Sequence, residues 1–342
     1  MAHLRAGVKF IATAILAVIA WFRIKLSSRP SLIILTYHRI LPQDHPDRKF
    51  EQPGMVTTPS ALRDHIGIMR SIGAEPVHLD EWLARKRKGE QLPPLSVSFT
   101  FDDGWRDNFQ FAYPVLKETR TPATIFLVTK LLDSDRTFWP EAVLHLLTST
   151  GVPNGKAEFQ WLIPFLPKRA ISKAPLSLNE ADQVINRLKE LDDQAIISHL
   201  KLIEDSGLMP ESPTSEKRSI LSSTELKEMA AEGLVKFGAH TRHHYRLNRL
   251  NDLSALENEI RGCHNDLKLI KEGAVSIFCY PNGDITQQGE QLVQSCFDAA
   301  CTTKTGWNRS DRNPYDLHRF NLHDGNSSNG RKLLATLGRG IV

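Results

Sequence analysis

The chain has 342 residues, of which 41% are hydrophobic and 24% are charged, and its formal net charge is +4. These values are ordinary for a folded protein, and they exclude a collagen-like, low-complexity or largely disordered chain. The length allows one large α/β domain or two smaller domains. The longest basic run, Arg85 to Lys88, has no nucleic-acid-reading motif beside it, so we expect no nucleic-acid partner.

Residues 1–30 contain an uninterrupted apolar stretch from Phe10 to Phe22, with basic residues on both sides. It is shorter than the about 20 residues that span a bilayer. It fits a signal-peptide core, a short anchor with interfacial Lys and Arg, or a helix lying in the membrane interface, and a buried helix of the fold is the alternative. We favour an uncleaved inner-membrane anchor, because a strand starting at Ser31 leaves little chain for a cleavage site. Basic residues on both flanks leave the membrane face undecided.

From residue 31 onward, short β-branched and aromatic runs alternate with helical patterns. Near-continuous apolar runs are typical of strands buried on both faces. Strand, helix, strand in this order predicts an α/β domain with a parallel sheet, open or closed. Helices are predicted over 59–73, over 105–119 and after a capping box of Ser222 and Glu225. The predicted strands are 31–38, 95–103, 123–129, 234–241, 274–281, 298–304 and 317–323.

Residues 140–221 interrupt this rhythm. They contain a helical stretch, a Pro-rich stretch and one long helical pattern that opens at Ser177 and Glu180. We interpret the segment as a helical insertion between two strands of a catalytic domain that spans 31–342. Capping of a cleft and added packing bulk are both open as its role.

Two adjacent carboxylates, Asp102 and Asp103, end a strand-like run in "SFTFDDGWRDN". Alternation along a strand places them on opposite faces unless the chain turns, which Gly104 permits. The two side chains can then take different roles. They fit glycoside hydrolysis badly, because its paired acids lie about 5–9.5 Å apart across a sugar. A capped, acidic helix N-terminus is the non-catalytic alternative.

A second cluster, "FGAHTRHHYRL", follows another apolar strand and contains His240 and His244. Residues four apart on one helical turn project to the same side, so both imidazoles can reach one metal ion. Two imidazoles and one carboxylate leave a position open for water, as catalytic zinc requires. Asp103 would complete this set, and Asp102 would lie near the water as a base.

Three motifs, "TFDDG" (100–104), "HTRHH" (240–244) and "FCYPNGD" (278–284), together resemble the polysaccharide deacetylase family, also called the NodB homology domain and related to carbohydrate esterase family 4. The resemblance covers roughly residues 31–325, with 140–221 outside the common core. It implies a deformed (β/α) barrel with a divalent metal, zinc being expected, at the C-terminal rim of the strands.

By matching position, the resemblance implies that Asp102 is the general base and that Asp103, His240 and His244 bind the metal. The implied reaction removes N-acetyl groups from N-acetylhexosamine units of a surface or extracellular polysaccharide or a lipid-linked glycan. The metal and a backbone N–H near Tyr280 are implied to hold the tetrahedral oxyanion.

The family also uses a histidine on a late strand to protonate the departing amine. In "LHRFNLHDG", His323 is the first candidate for this acid and His318 the second. Many members carry an Arg two residues before the proline of the third motif, where this chain has Cys279. A thiol cannot make charged hydrogen bonds to a catalytic Asp, and we expect Arg319 to orient Asp102 instead.

Other residues of these motifs are predicted to line the substrate pocket. Tyr280 and Pro281 belong to the third motif, and His38 ends the first predicted strand in "TYHRI". His38 has a buried strand-end position as its alternative. Trp105 is a candidate for stacking on a sugar ring, or for packing at the start of the helix that follows.

Three functions stay open at this point. The leading one is a membrane-associated polysaccharide N-deacetylase with an N-acetylated glycan as substrate. The second is an amide or formamide hydrolase that acts on another small or lipid-carried substrate. The third is an inactive glycan-binding module, against which the intact set of base and ligands argues.

Overall fold

The computed structural model describes residues 2–26, 29–149, 152, 155–167, 174–211, 219–250 and 252–340. Nine of the strands within these residues join one mixed sheet, and two short strands pair with each other. The strands are β1 (Ser31–Tyr37), β2 (Arg39–Ile40), β3 (Val56–Thr57), β4 (Glu75–Pro76), β5 (Leu95–Phe101), β6 (Ala123–Leu127), β7 (Val235–Ala239), β8 (Ala274–Cys279), β9 (Ala299–Cys301), β10 (Asn308–Arg309) and β11 (Phe320–Asn321).

Helices surround this sheet and continue into the segment between β6 and β7. Each predicted strand contains one of the observed strands, and the predicted helix at 59–73 is present. The helices are α1 (Ala2–Leu26), α2 (Pro59–Ser71), α3 (Leu79–Arg87), α4 (Tyr113–Thr119), α5 (Trp139–Ser149), α6 (Leu178–Leu188), α7 (Asp193–Asp205), α8 (Ser223–Ala231), α9 (Leu253–Glu257), α10 (Cys263–Leu269), α11 (Gln287–Cys296), α12 (Asp324–Ser327) and α13 (Gly330–Arg339).

The sheet is parallel through most of its width, in the order β10-β1-β5-β6-β7-β8-β9, and β10 runs antiparallel to β1. Leu32 of β1, Phe126 of β6, Ile277 of β8 and Ala299 of β9 share one buried cluster with Trp82 of α3. Strands that are distant in this order reach a common cluster only if the sheet curls. The predicted deformed α/β barrel is therefore confirmed as a half-barrel with α3 packed inside it.

The outer face of the sheet is covered by helices. Residues of alternate parity along β1 and β5, such as Leu35 and Phe99, pack there against Leu62 and Ile66 of α2. Helix α2 begins at Pro59, a residue that suits the first helical position. The hydroxyl of Thr58 caps the helix by accepting the backbone N–H of Ala61 at 3.1 Å. Burial on both faces explains why the strands are apolar without interruption.

The insertion forms an apolar cluster of its own from α5, α6 and α7. One long helical pattern was expected here, and the structure divides it into α6 and α7. Asp192 caps α7, and the buried Arg246 donates to the carbonyl of Leu191 at 2.7 Å and to the carboxylate of Asp193 at 3.0 Å. A tertiary contact with the loop after β7 therefore stabilises the break.

The predicted N-terminal apolar stretch lies in α1, which packs alongside α13. Ala20 is fully buried, Arg331 lies over the ring of Phe10 at 3.8 Å, and Gly338 leaves no room for a Cβ beside the backbone of Leu16. Across the part of the chain that the structure describes, no helix combines the length and the apolar character needed to cross a membrane.

Candidate active site

The site is built around the end of β5, where the chain turns sharply after Phe101. The backbone N–H of Asp102 still donates to the carbonyl of Tyr37 on β1 at 2.9 Å. Asp103 and Gly104 then both adopt a φ of 74°, in the left-handed region. Glycine enters this region freely and aspartate more readily than most residues. The turn therefore separates the two carboxylates, which are both buried.

Asp102 is held by Arg319. The guanidinium donates to its two carboxylate oxygens at 2.7 and 2.8 Å, and Nε of Arg319 donates to the carbonyl of Thr302 at 3.0 Å. Burial by itself raises the pKa of Asp102, but the charge and hydrogen bonds of Arg319, with His240 nearby, hold the pKa below its ordinary value. Asp102 is consequently an ionised carboxylate in a fixed orientation.

Asp103 lies between the two histidines of the second motif. Its Oδ1 is 3.4 Å from Nε2 of His240 and 3.3 Å from Nε2 of His244. Its Oδ2 accepts the indole N–H of Trp105 at 2.9 Å. Burial raises the pKa of Asp103, and the hydrogen bonds and charges of the two histidines outweigh it and leave the pKa well below its ordinary value.

The two histidines do not lie on a helical turn, and that expectation was wrong. Residues 240–246 are a loop after β7, in which Thr241 and His244 have φ values of 62° and 65°. The hydroxyl of Thr241 accepts the backbone N–H of His244 at 2.9 Å. The buried Glu259 accepts the backbone N–H and the ring Nδ1 of His243, at 2.9 and 2.6 Å. With these local hydrogen bonds in place, the ring centroids of His240 and His244 lie 5.0 Å apart.

Asp103, His240 and His244 can hold a metal ion. Their ligand atoms all lie within 4.8 Å of one another, and one carboxylate with two imidazoles is a donor set that suits zinc and similar divalent ions. The ring Nδ1 of His240 pairs with the carbonyl of Cys279 at 2.8 Å, which leaves Nε2 for the ion. The Trp105 indole steadies the carboxylate in a similar way. The donor set and its supporting bonds therefore fit a divalent metal.

A second group with ligand spacing contains Asp102, His240 and Cys279. Its carboxylate oxygens are already paired with Arg319. Burial raises the pKa of the Cys279 thiol well above its ordinary value, and the thiolate is the form that binds metals. The set centred on Asp103 is therefore the better metal site, and the Cys279 thiol serves as a weak donor 3.7 Å from Asp102.

These residues open into one pocket of about 480 Å³ between the rim of the half-barrel and the insertion. The insertion contributes a wall of mostly polar side chains, so it lies over the cleft rather than adding bulk elsewhere. The barrel side is lined by residues that include Thr36, His38, Asp102, Asp103, His240, His244, Tyr280 and Arg319, and the insertion side by Trp139, Pro140, Glu141, Asp182, Asn186, Lys189 and Asp193.

His38 and His323, which end the first and last predicted strands, lie in different surroundings. His38 lines the pocket, with Nε2 at 4.0 Å from Asp102, and its buried Nδ1 has no partner within the described residues. His323 is not among the lining residues. Its Nδ1 accepts the backbone N–H of Gly325 at 3.1 Å as the N-cap of α12, and burial lowers its pKa. The structure thus brings His38, and not His323, to the pocket.

Three other expectations need correction. Trp105 is buried beneath the pocket and lies under the guanidinium of Arg39, at 4.1 Å, so its ring is not available to a sugar. Among the backbone N–H groups near Tyr280, its own donates to the carbonyl of Cys301 at 3.1 Å and is therefore not free for an oxyanion. Pro281 follows Tyr280 but does not line the pocket, and of this motif Tyr280 and Asn282 do.

Glu141 is a pocket residue that the sequence did not indicate. It lines the insertion side, and its Oε2 has no partner within the described residues. Burial, with the charge of Glu51 nearby, raises its pKa to about 8. Nothing in the pattern "FWPEAVLHLL" distinguishes this carboxyl from an ordinary acidic residue in the first turn of a helix, and the fold of the insertion alone brings it to the pocket.

The sequence is similar to a known family over the stretches that carry Asp102, Asp103, His240 and His244. A model of the family described as "Polysaccharide deacetylase" matches residues 89–155 and 195–296, and residues 156–194 of the insertion lie between the two matched stretches. Poly-beta-1,6-N-acetyl-D-glucosamine N-deacetylase of Escherichia coli (strain K12) is 32% identical over 77 residues, covering 22% of this chain and 12% of that protein. The Staphylococcus epidermidis enzyme of the same name is 31% identical over 112 residues, covering 30% of this chain and 38% of that protein. The chain thus spans well under half of the length of either relative.

Solved structures extend the similarity to most of the chain. The deacetylase PplD of Streptococcus pyogenes, solved with acetate, has a TM-score of 0.58 at 17% identity and covers 91% of this chain and 99% of its own. IcaB from Ammonifex degensii has a TM-score of 0.55 at 18% identity and covers 90% of this chain and 97% of its own. At this level of identity the likeness establishes the shared fold.

Proposed function

Because the chain belongs to the polysaccharide deacetylase family, we propose that it hydrolyses N-acetyl groups on N-acetylhexosamine units of a glycan. The oxygen of water adds to the acetyl carbon, the amide C–N bond breaks, and acetate and the free sugar amine are released. The observation that carries the proposal is a single pocket in which the ionised Asp102 lies beside the donor set of Asp103, His240 and His244.

Asp102 is the base that takes a proton from the attacking water. Its carboxylate is ionised at neutral pH, and Arg319 holds it through two hydrogen bonds. Asp103, His240 and His244 would hold a divalent metal, which we propose to be zinc, and the bound ion would supply polarisation of the acetyl carbonyl and a more acidic water. A water of lowered pKa suits a carboxylate of low basicity.

We assign protonation of the departing amine to His38. It lines the pocket 4.0 Å from Asp102, on the same wall as the base. A protonated imidazole is a donor that can deliver a proton to the nitrogen as the C–N bond breaks. His323 was the first candidate from sequence, but its ring caps α12 and does not line the pocket.

The substrate that we propose to test first is poly-β-1,6-linked N-acetylglucosamine, the polymer in the names of two similar enzymes. The polar insertion wall, with Asp182, Asn186 and Lys189, suits sugar hydroxyl and amide groups. We propose that the N-acetylhexosamine units belong to a surface polysaccharide or to a lipid-linked glycan.

The test is acetate release from β-1,6-linked N-acetylglucosamine oligomers, with β-1,4-linked oligomers and N-formyl amides as comparisons, and with metal content measured on the same protein. Release of acetate from the amino sugars supports the proposal. Formate release alone favours the amide or formamide hydrolase, and calorimetric binding of oligomers without product favours the glycan-binding module.

We also propose that α1 attaches the enzyme to a membrane, with the membrane face left open. Its inner side packs on α13, whereas Ile11, Ile15, Val18 and Phe22 on its other side are exposed. These residues follow the three-to-four-residue spacing of one helix face. An uncovered apolar helix face of this kind is typical of attachment to a membrane interface.

A further inference from the structure

A second cavity, of about 560 Å³, lies at the C-terminal end of α1 and is lined by a different set of residues from the candidate active site. Arg23 of α1, Arg309 of β10 and Arg312 of the following loop line it, with Gly306, Trp307 and His318 among the other lining residues. No residue of the candidate active site lines this cavity.

The three arginines are not fully neutralised by the carboxylates that share the cavity. Asp316 accepts from Lys304 at 2.9 Å and lies 3.4 Å from Arg312. Asp311 lies 4.0 Å from Arg29. Each of these two carboxylates therefore has a cationic partner, Lys304 or Arg29, that does not line the cavity.

Arg23 and Arg309 form no ion pair with a carboxylate within the described residues. Arg23 lies over Trp307 at 5.0 Å, which fixes its guanidinium at the mouth of the cavity. Burial and the charge of Arg309 lower the pKa of Arg23, because two like charges lie near each other. An anion between them would relieve this repulsion.

The cavity adjoins the exposed apolar face of α1. Trp21 and Phe22, which immediately precede Arg23, are both exposed, and tryptophan is enriched where proteins meet the headgroup region of a bilayer. If the apolar face enters the membrane surface, the guanidinium groups at its end lie at the depth of the phosphates. Guanidinium is the side-chain group that best matches phosphate, through paired hydrogen bonds.

We infer that the cavity of Arg23, Arg309 and Arg312 binds the phosphate of an anionic phospholipid headgroup when α1 lies on the bilayer. The inference rests on the proposed membrane attachment and is independent of the deacetylase activity. It explains why charged side chains are gathered at the end of an apolar helix face, and it makes attachment selective for anionic membranes.

The test is flotation of the full chain with phosphatidylcholine vesicles, with and without phosphatidylglycerol. The double variant R309Q/R312Q is expected to lose about tenfold to thirtyfold in binding to the anionic vesicles, since each cation near such a surface contributes about 1 kcal/mol. Its binding to neutral vesicles and its release of acetate from soluble oligomers should be unchanged. K201Q/K227Q, which removes two exposed lysines of α7 and α8, is the control of equal charge.

Equal loss of anionic binding in both double variants would overturn the site, because it would indicate diffuse attraction. Full retention by R309Q/R312Q would overturn it as well. If R309Q/R312Q lost calorimetric binding of inorganic phosphate but kept its binding to anionic vesicles, the ligand would be free phosphate and the lipid assignment would be wrong. Failure of every form to bind either vesicle would reject the membrane attachment itself, while acetate release would still report on the proposed function.

Discussion

Arg319 donates to both carboxylate oxygens of Asp102, at 2.7 and 2.8 Å, across 217 positions of sequence. Both side chains are buried, so the pair is shielded from water. The resemblance of the third motif leads to the expectation of an arginine at the position where this chain has Cys279. Here Arg319, directly before β11, makes charged hydrogen bonds to Asp102. The orientation of Asp102 therefore does not depend on an arginine at position 279.

Arg319→Lys should lower kcat/KM by about tenfold to a hundredfold, because lysine cannot make two parallel hydrogen bonds and a positioned base contributes about 10²–10⁴ in rate. Arg319 lowers the pKa of Asp102, so weakening the contact should raise that pKa. The acidic limb of the pH–rate profile should therefore move to higher pH. Cys279→Ala is the comparison, and it should leave the limb in place because its thiol is 3.7 Å from the carboxylate.

If the acidic limb of the pH–rate profile stayed in place in Arg319→Lys, the group whose ionisation sets that limb would not be Asp102. Since loss of a partner from a buried ion pair costs about 3–5 kcal/mol, the melting temperature of each variant should be measured beside its activity.

The two neighbouring aspartates should separate in their effects. Asp102→Asn should abolish deacetylation while bound metal is retained, because Asp102 pairs with Arg319 and is not a ligand in the proposed set. Asp103→Asn should lose metal and activity together, since Asp103 lies within 3.4 Å of both histidines. Elemental analysis and acetate release on the same preparations make the comparison. Loss of metal from Asp102→Asn, with retention by Asp103→Asn, would mean that the roles are exchanged.

His38→Ala should lower kcat by about a hundredfold or more, in the range of general acid catalysis. His323→Ala should retain most activity and lose about 1 kcal/mol of stability, because its ring caps α12. Thermal unfolding and steady-state kinetics distinguish the two outcomes. A reversal, with His323→Ala inactive and His38→Ala active, would restore the sequence-based assignment of the acid.

Trp105→Phe should weaken metal binding by about tenfold to a hundredfold, the usual effect of losing a hydrogen bond to a metal ligand. The indole N–H donates to Asp103 at 2.9 Å, and phenylalanine keeps the ring but not the donor. Trp161→Phe is the matched control, because the indole nitrogen of Trp161 has no partner within the described residues. Competition with a chelator of known affinity gives the metal dissociation constants. Equal metal dissociation constants in the two variants would mean that the hydrogen bond from Trp105 to Asp103 does not affect metal binding.

Much of the fold was predictable because buried strands have a strong local pattern of apolar residues in the sequence. The apolar runs of β1, β5 and β8 are continuous since both faces of the sheet are covered, and the turn after Phe101 follows from a strand that ends in Asp, Asp and Gly. The grouping of Asp103 with the two histidines was also predictable, because the C-terminal ends of parallel strands meet at one rim.

Other features depend on contacts that no local pattern encodes. The division of the long helical pattern into α6 and α7 is stabilised by Arg246, more than fifty positions away along the chain. His38 and His323 both sit at strand ends in the sequence, and only the three-dimensional arrangement shows that one ring lines the pocket while the other caps a helix.

By itself, the sequence determined the α/β class, the order of the strands along the chain and the residues with the chemistry of a base and a metal site, because period, turn residues and side-chain type are local properties. Only the tertiary structure decided that Trp105 supports Asp103 from beneath, that His38 shares the pocket with Asp102 and that the insertion contributes Glu141. Those relationships are distances between segments remote in sequence, and they exist only once the sheet has curled and its loops have packed.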